Sequence, residues 1–230
     1  MIQKSKLLGL VAGMTFAGAM TASAAVIDFT ALPSTASGTL LPSIAGTTAG
    51  LGWGVVSDPA GKLTLRNYDG GKTGGVPTPA FNGSPLAFNN DGIGVTDDEI
   101  TSTVRKVESV TVTFSRAVRV TGFYFLDLVL ATDVKNNEYA LIADQDGNNI
   151  ATENAIEAFG TPAAGYKFAK YRGDKVSALT FTAGLGNDEV GSADYALAGI
   201  KFAPIPLPAG GLLLLSGMGA LAAARRRKQA

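Results

Sequence analysis

The densest chemistry in this chain lies between Asn90 and Ile100, NDGIGVTDDEI. There Asp91, Asp97, Asp98 and Glu99 set four carboxylates within nine residues, beside Gly92 and Gly94. Neighbouring acidic side chains repel one another unless a cation or hydrogen bonds offset the charge. Calcium takes six to eight oxygen ligands at about 2.3–2.6 Å and suits a loop that mixes carboxylates with backbone carbonyls. Two readings stand side by side: a calcium (Ca2+) site built from Asp91, Asp97, Asp98 and Glu99, or a solvated acidic loop. Asp144 to Asn149, DQDGNN, starts with the calcium-loop spacing Asp144, Asp146, Asn148. Its glycine comes two places too early, however, and Ala155 stands where the closing glutamate belongs, so Asp146-Gly147 predicts a hairpin turn.

The chain has no cysteine and no histidine. That excludes thiol nucleophiles, thiolate metal sites, imidazole ligands and any catalytic triad that needs a histidine. Carboxylate chemistry remains, either an acid/base pair of glycosidase type or hard-cation binding, and the spacing of the acids selects no pair. Gly71-Lys72-Thr73 imitates the end of a phosphate-binding loop, but Arg66 occupies the position of its first glycine. Among the aromatics, Trp53 between Gly52 and Gly54 is the first candidate for stacking on a sugar ring. Tyr68, Tyr166 and Tyr171 follow, with core packing as the alternative for each.

The elements that must position these residues are strands. Short segments with period-two alternation or β-branched and aromatic enrichment recur between clusters of Gly, Pro, Asn and Asp. The clearest is Glu108–Phe114, in which Val110, Val112 and Phe114 share a face opposite Thr111 and Thr113. A turn is expected at Ser115-Arg116-Ala117, leading into a second strand over Val118–Leu126. Further strands are expected at 26–29, 53–56, 62–66, 138–143, 149–152, 167–171, 176–182 and 195–202. No stretch between the two ends has helical periodicity. The prediction is all-β: a two-sheet β-sandwich of jelly-roll type, with residues 66–85 as a long irregular excursion.

Both ends carry targeting patterns. Lys4 and Lys6, an apolar run from Leu7 to Met20, and Ala22-Ser23-Ala24 form a signal peptide over residues 1–24, with the mature chain starting at Ala25. At the other end no charged side chain occurs between Phe202 and Arg225, and Arg225-Arg226-Arg227-Lys228 follows. At ~1.5 Å per residue such a run can cross a bilayer core of about 30 Å, with the basic residues held on the cytoplasmic side. The expected division is therefore signal peptide 1–24, exported domain 25–203, and a C-terminal segment 204–230 with one transmembrane helix at about 207–224 and a basic tail at 225–230. The whole chain balances 19 basic against 19 acidic residues. Six of the basic ones lie in the two ends, which leaves 13 against 19 and a net charge of −6 for residues 25–203. An acidic exported domain is not a nucleic-acid binder.

The C-terminal segment resembles the PEP-CTERM class of sorting signals, in its VPLPA-CTERM variant. The matching residues are Ile205, Pro206, Leu207, Pro208, Ala209, Gly210 and Gly211, then Leu212 to Leu215, then Arg225 to Lys228. Ile205 stands where the variant usually has valine. The resemblance implies a signal peptidase and an exosortase-type membrane enzyme as partners. It also implies an inner-membrane intermediate, cleavage near the proline-rich motif, and delivery to the cell surface or beyond. Through DGIGVTDDEI, ESVTVTF, VTGFYFLDL and DYALAGIKF the exported region also looks like the β-rich domains of such proteins, a likeness that carries no established activity. The expected function is a non-enzymatic surface or extracellular-matrix (biofilm) component. The alternative is a carbohydrate-binding module of galactose-binding-like jelly-roll type that meets an extracellular polysaccharide and holds a structural calcium ion.

Overall fold

In the computed structural model, residues 24–67, 83–97, 99–103, 105–130, 138–158, 165–184 and 194–203 are described. Among them the only helical turn is a 3-10 turn at Phe29–Ala31, capped by the Asp28 carboxylate. No described helix is long and apolar enough to cross a membrane. The expected signal peptide, apart from Ala24, and the whole of 204–230 lie outside the described residues.

Among the described residues thirteen strands follow in chain order. They are β1 (Ala25–Asp28), β2 (Ile44–Thr48), β3 (Leu51–Asp58), β4 (Leu63–Thr64), β5 (Gly94–Val95), β6 (Ser109–Leu126) and β7 (Val129–Leu130), then β8 (Tyr139–Asp144), β9 (Asn149–Asn154), β10 (Glu157–Ala158), β11 (Lys167–Lys170), β12 (Lys175–Ala183) and β13 (Ala196–Phe202). Nine of them join one antiparallel sheet; β4–β5 and the parallel pair β7–β10 stand apart.

The long strand β6 organises the molecule. Its first part, Ser109–Arg119, lies between β3 and β12, with β2 beyond β3 and β8 and β9 beyond β12. Its last part, Val120–Leu126, lies between β13 and β11, with β1 beyond β13. The two halves close over a common core in which Phe123 meets Phe181 edge-to-face at 5.7 Å and Phe125 meets Tyr195 at 5.3 Å. Fully burying each such ring contributes about 2–3 kcal/mol. A smaller cluster of Leu86, Tyr124, Leu126, Ala196 and Ala198 covers the opposite face of the β13–β6–β11 half. That is why β6 turns apolar on both faces from Gly122 onward.

The turn expected at Ser115-Arg116-Ala117 does not form. Those residues are an exposed bulge inside one continuous strand, where Phe114–Ala117 lie opposite the single residue Ser177. Polar side chains in a bulge point to solvent as they would in a turn, so composition alone does not separate the two. The first strand begins at Ala25 and pairs with the last, Ala25 opposite Phe202, so the two ends of the described fold lie side by side.

Candidate functional site

β11 and β12 run along the same edge of β6, and between them the ladder breaks. Lys170 pairs with Gly122, the Tyr171 amide donates to the Thr121 carbonyl, and pairing resumes with Lys175 opposite Arg119. Residues 171–174 therefore leave the edge just where β6 passes from one half of the sheet to the other. A cleft of ≈ 570 Å³ opens there, lined by residues 119–121 and 171–174.

Two guanidinium groups, Arg119 and Arg172, stand exposed in the cleft, and among the described residues neither is ion-paired. The Tyr171 ring is half-buried against Phe123, at 5.4 Å between ring centres. A β-carbon on Gly173 would meet the Tyr171 hydroxyl, so the glycine makes room for that ring. Burial raises the Tyr171 phenol above its ordinary value, with the Asp174 and Asp144 charges adding to the rise. The Thr121 hydroxyl oxygen is buried with no hydrogen-bond partner among the described residues. The cleft thus gathers an aromatic ring, two cationic forks, one carboxylate and an unsatisfied hydroxyl. These are the groups that recognise a small polyhydroxylated ligand: a ring for its C–H face, and donors and acceptors for its hydroxyls.

The candidates read from sequence fall elsewhere. Trp53 is only 8% exposed, its ring edge-to-face with Phe29 at 5.5 Å and its indole N–H donating to Thr48 Oγ1 at 3.0 Å. It lies over Gly46 of the neighbouring strand, which leaves room for the ring, while the flanking Gly52 and Gly54 face Ser115 and Thr113. Trp53 is a core residue, which corrects the expectation of a sugar-stacking platform.

Three residues of the acidic segment, Asp91, Asp97 and Glu99, are described, and they are held by different backbone bonds. Asp91 is 3% exposed and its amide donates to the Arg66 carbonyl. Asp97 is exposed beyond β5 and accepts from the Glu99 amide, while the Val95 amide donates to the Glu99 carbonyl. Asp98 lies outside the described residues. Among the described residues no group of three or more acidic side chains could hold a metal ion.

Asp144 to Asn149 forms the expected hairpin. The Asp144 carboxylate accepts from the Asn148 side-chain amide at 3.2 Å and from the Asn148 and Asp146 backbone amides at 2.9 Å, Gly147 takes φ 81°, and these bonds hold the Asp144 carboxyl below its ordinary value. Of the other aromatics, Tyr166 packs near Phe88 and Tyr68 lies outside the described residues. Ala24 and Ala25 open the described chain. Ala22, the motif Ile205, Pro206, Leu207, Pro208, Ala209, Gly210 and the basic residues Arg225, Arg226, Arg227 and Lys228 lie outside the described residues. Sequence reasoning reached Tyr171 but missed Arg119, Arg172 and Asp174. The available signal was Lys170-Tyr171-Arg172-Gly173-Asp174-Lys175, a short polar run between two apolar strand patterns.

Neither a family model nor a curated protein matches the chain. Three solved structures show partial similarity. The CBM32-5 module of CpGH89 from Clostridium perfringens, in complex with GalNAc-β-1,3-galactose, is 16% identical, with 46% of this chain and 75% of that chain covered at a TM-score of 0.30. CBM32-3 from a family 31 glycoside hydrolase of Clostridium perfringens is 17% identical, covering 48% and 80% at 0.28. A His 62 mutant of the lectin binding domain of lectinolysin, complexed with Lewis b, is 11% identical, covering 63% and 94% at 0.31. Scores and identities this low assign neither a family nor a ligand to this chain.

Proposed function

We propose that residues 25–203 are a non-enzymatic carbohydrate-binding β-sandwich of galactose-binding-like type. The protein is exported and carried to the cell surface or extracellular matrix by its C-terminal segment. The observation that carries the binding half of this reading is the cleft at the sheet break, lined by Tyr171, Asp174 and two arginines that form no ion pair among the described residues. Binding without turnover follows from the same inventory. Glycoside hydrolysis by carboxylates needs two of them, about 5–9.5 Å apart, and among the described residues Asp174 is the only acid lining the cleft.

A glycan array probed with the full-length protein in detergent tests the reading. Tyr171→Ala removes the ring face and is expected to lower affinity for the preferred glycan by about tenfold, with little change in melting temperature. Undiminished binding in that variant puts the ligand somewhere other than this cleft. Delivery has a separate test, based on the resemblance of 204–230 to a sorting signal cut by an exosortase-type enzyme after a signal peptidase has acted. Mass spectrometry of the mature C-terminus is expected to find Arg225–Lys228 removed. Their retention in host membranes reduces the segment to an anchor.

A further inference from the structure

We propose that the cleft selects acidic saccharides, meaning sugars that bear a ring-borne oxyanion such as a uronate carboxylate or a sulfate ester. This rests on the glycan-binding reading above and narrows it to a substrate class.

Three observations carry it. The first is a surplus of donors. Arg119 and Arg172 present about ten N–H donors, whereas among the described residues the lining side chains offer as acceptors only the Asp174 carboxylate and the Tyr171 hydroxyl, the Thr121 hydroxyl being buried. Neutral sugar hydroxyls both donate and accept, so they redress this surplus poorly. An oxyanion accepts only, and matches the planar guanidinium fork in a bidentate way.

The second observation is the local charge. Residues 25–203 carry 13 basic and 19 acidic side chains, yet Arg119, Lys170, Arg172 and Lys175 all sit at this break. Among the described residues none of the four is in an ion pair. Asp174 is the one acid in the run, and the nearby Asp144 carboxylate already accepts its own hairpin amides. A cationic spot on an acidic domain draws an anion to one place and discourages it elsewhere.

The third observation is the register. Lys175 lies directly opposite Arg119 across the ladder. Like charges in that position disfavour pairing, and a bound oxyanion would offset the repulsion.

The experiment measures binding by calorimetry, using the full-length protein in detergent and three oligomers of matched length: oligogalacturonate, a sulfated galactan and a neutral galactan. At least one acidic oligomer is expected to bind about tenfold or more tighter than the neutral one, and to weaken as salt rises from 50 to 500 mM. Which acidic oligomer wins separates carboxylate from sulfate. Arg119→Gln and Arg172→Gln are each expected to lose about tenfold in acidic affinity at unchanged melting temperature. Asp174→Asn removes the opposing charge and should gain a few-fold. Equal affinity for neutral and acidic oligomers, or acidic binding indifferent to both arginines, overturns the inference and leaves neutral glycan binding standing. Absence of binding to every oligomer removes both.

Discussion

Trp53 lies on a strand next to β6 and Tyr171 directly after one, and the sheet treats the two aromatic residues in opposite ways. Around Trp53 the ladder is intact on both sides: β2 pairs with β3 on one edge, β6 on the other, and the ring is closed in by Phe29 and Gly46. Around Tyr171 the edge of β6 loses its partner between Gly122 and Arg119, and the ring is left half-exposed beside cations that have no ion pair among the described residues. A regular ladder supplies neighbours to every side chain and leaves no space for a ligand. A break in it withdraws those neighbours and creates a concave place with unsatisfied groups.

The sharpest way to break that contrast is Trp53→Ala. Truncating a buried tryptophan costs about 3–5 kcal/mol, so the variant should unfold at markedly lower denaturant concentration while keeping its glycan affinity in the folded state. Lost affinity in a variant that remains folded would mean that the intact region also touches ligand.

Carboxylates divide in the same way, which gives the next test. Glu108 is fully buried and fully used: it accepts from Thr96 Oγ1 and the Thr101 amide, each at 3.0 Å, and forms an ion pair with Lys106. Thr96 itself holds a left-handed backbone at φ 71°, costly for a β-branched residue, and its bond to Glu108 helps to keep it there. Among the described residues Asp174 forms no such ion pair. Glu108→Gln keeps the shape but removes the charge that organises these donors, and should cost about 2–4 kcal/mol. An unchanged denaturation midpoint would show that the 96–108 loop stands without it. Binding at the cleft should not change.

How much of this was legible in the sequence depends on how local each signal is. Val110, Val112 and Phe114 alternate within one strand, and Asp146-Gly147 makes its turn within four residues, so both could be read directly. Strand β2 was missed because Ile44–Thr48 has few apolar side chains and its two-residue turn is Ala49-Gly50. Both take positive φ, 49° and 75°, and alanine is not a residue that announces such a turn. Trp53 misled because its flanking Gly52 and Gly54 face Ser115 and Thr113, whereas the glycine that admits the ring is Gly46 on the neighbouring strand. The cleft was not legible, since it exists only when Arg119 and Thr121 meet residues 171–174 from a distant strand. Tyr171 entered the sequence argument as one of four aromatics, and nothing local set it apart.

The smallest expected effect concerns Glu138, a partly buried acid that faces two other acids, Asp194 and Glu99. Burial pushes its carboxyl up to about 10, and a hydrogen bond with Asp194 and the charges of Asp194 and Glu99 add to the rise; the Val129 amide, which donates at 2.6 Å, opposes it. At neutral pH this group therefore holds a proton, and the proton does for the cluster what the cleft arginines leave to a ligand. Between an unfolded value of 4.5 and the folded value of about 10 the native state binds more protons than the unfolded one. Stability accordingly falls as pH rises through that window. Glu138→Gln keeps an acceptor for Val129 and a donor for Asp194 without a titrating proton. It should raise the melting temperature at pH 7.5 by roughly 2–4 °C, equivalent to about 1 kcal/mol, and flatten its dependence on pH. Calcium at millimolar concentration should leave the wild-type melting temperature unchanged. If calcium instead raised it, and Glu138→Gln abolished the rise, the cluster would be a cation site and the contrast with the cleft would fail, because both regions would then wait for a ligand.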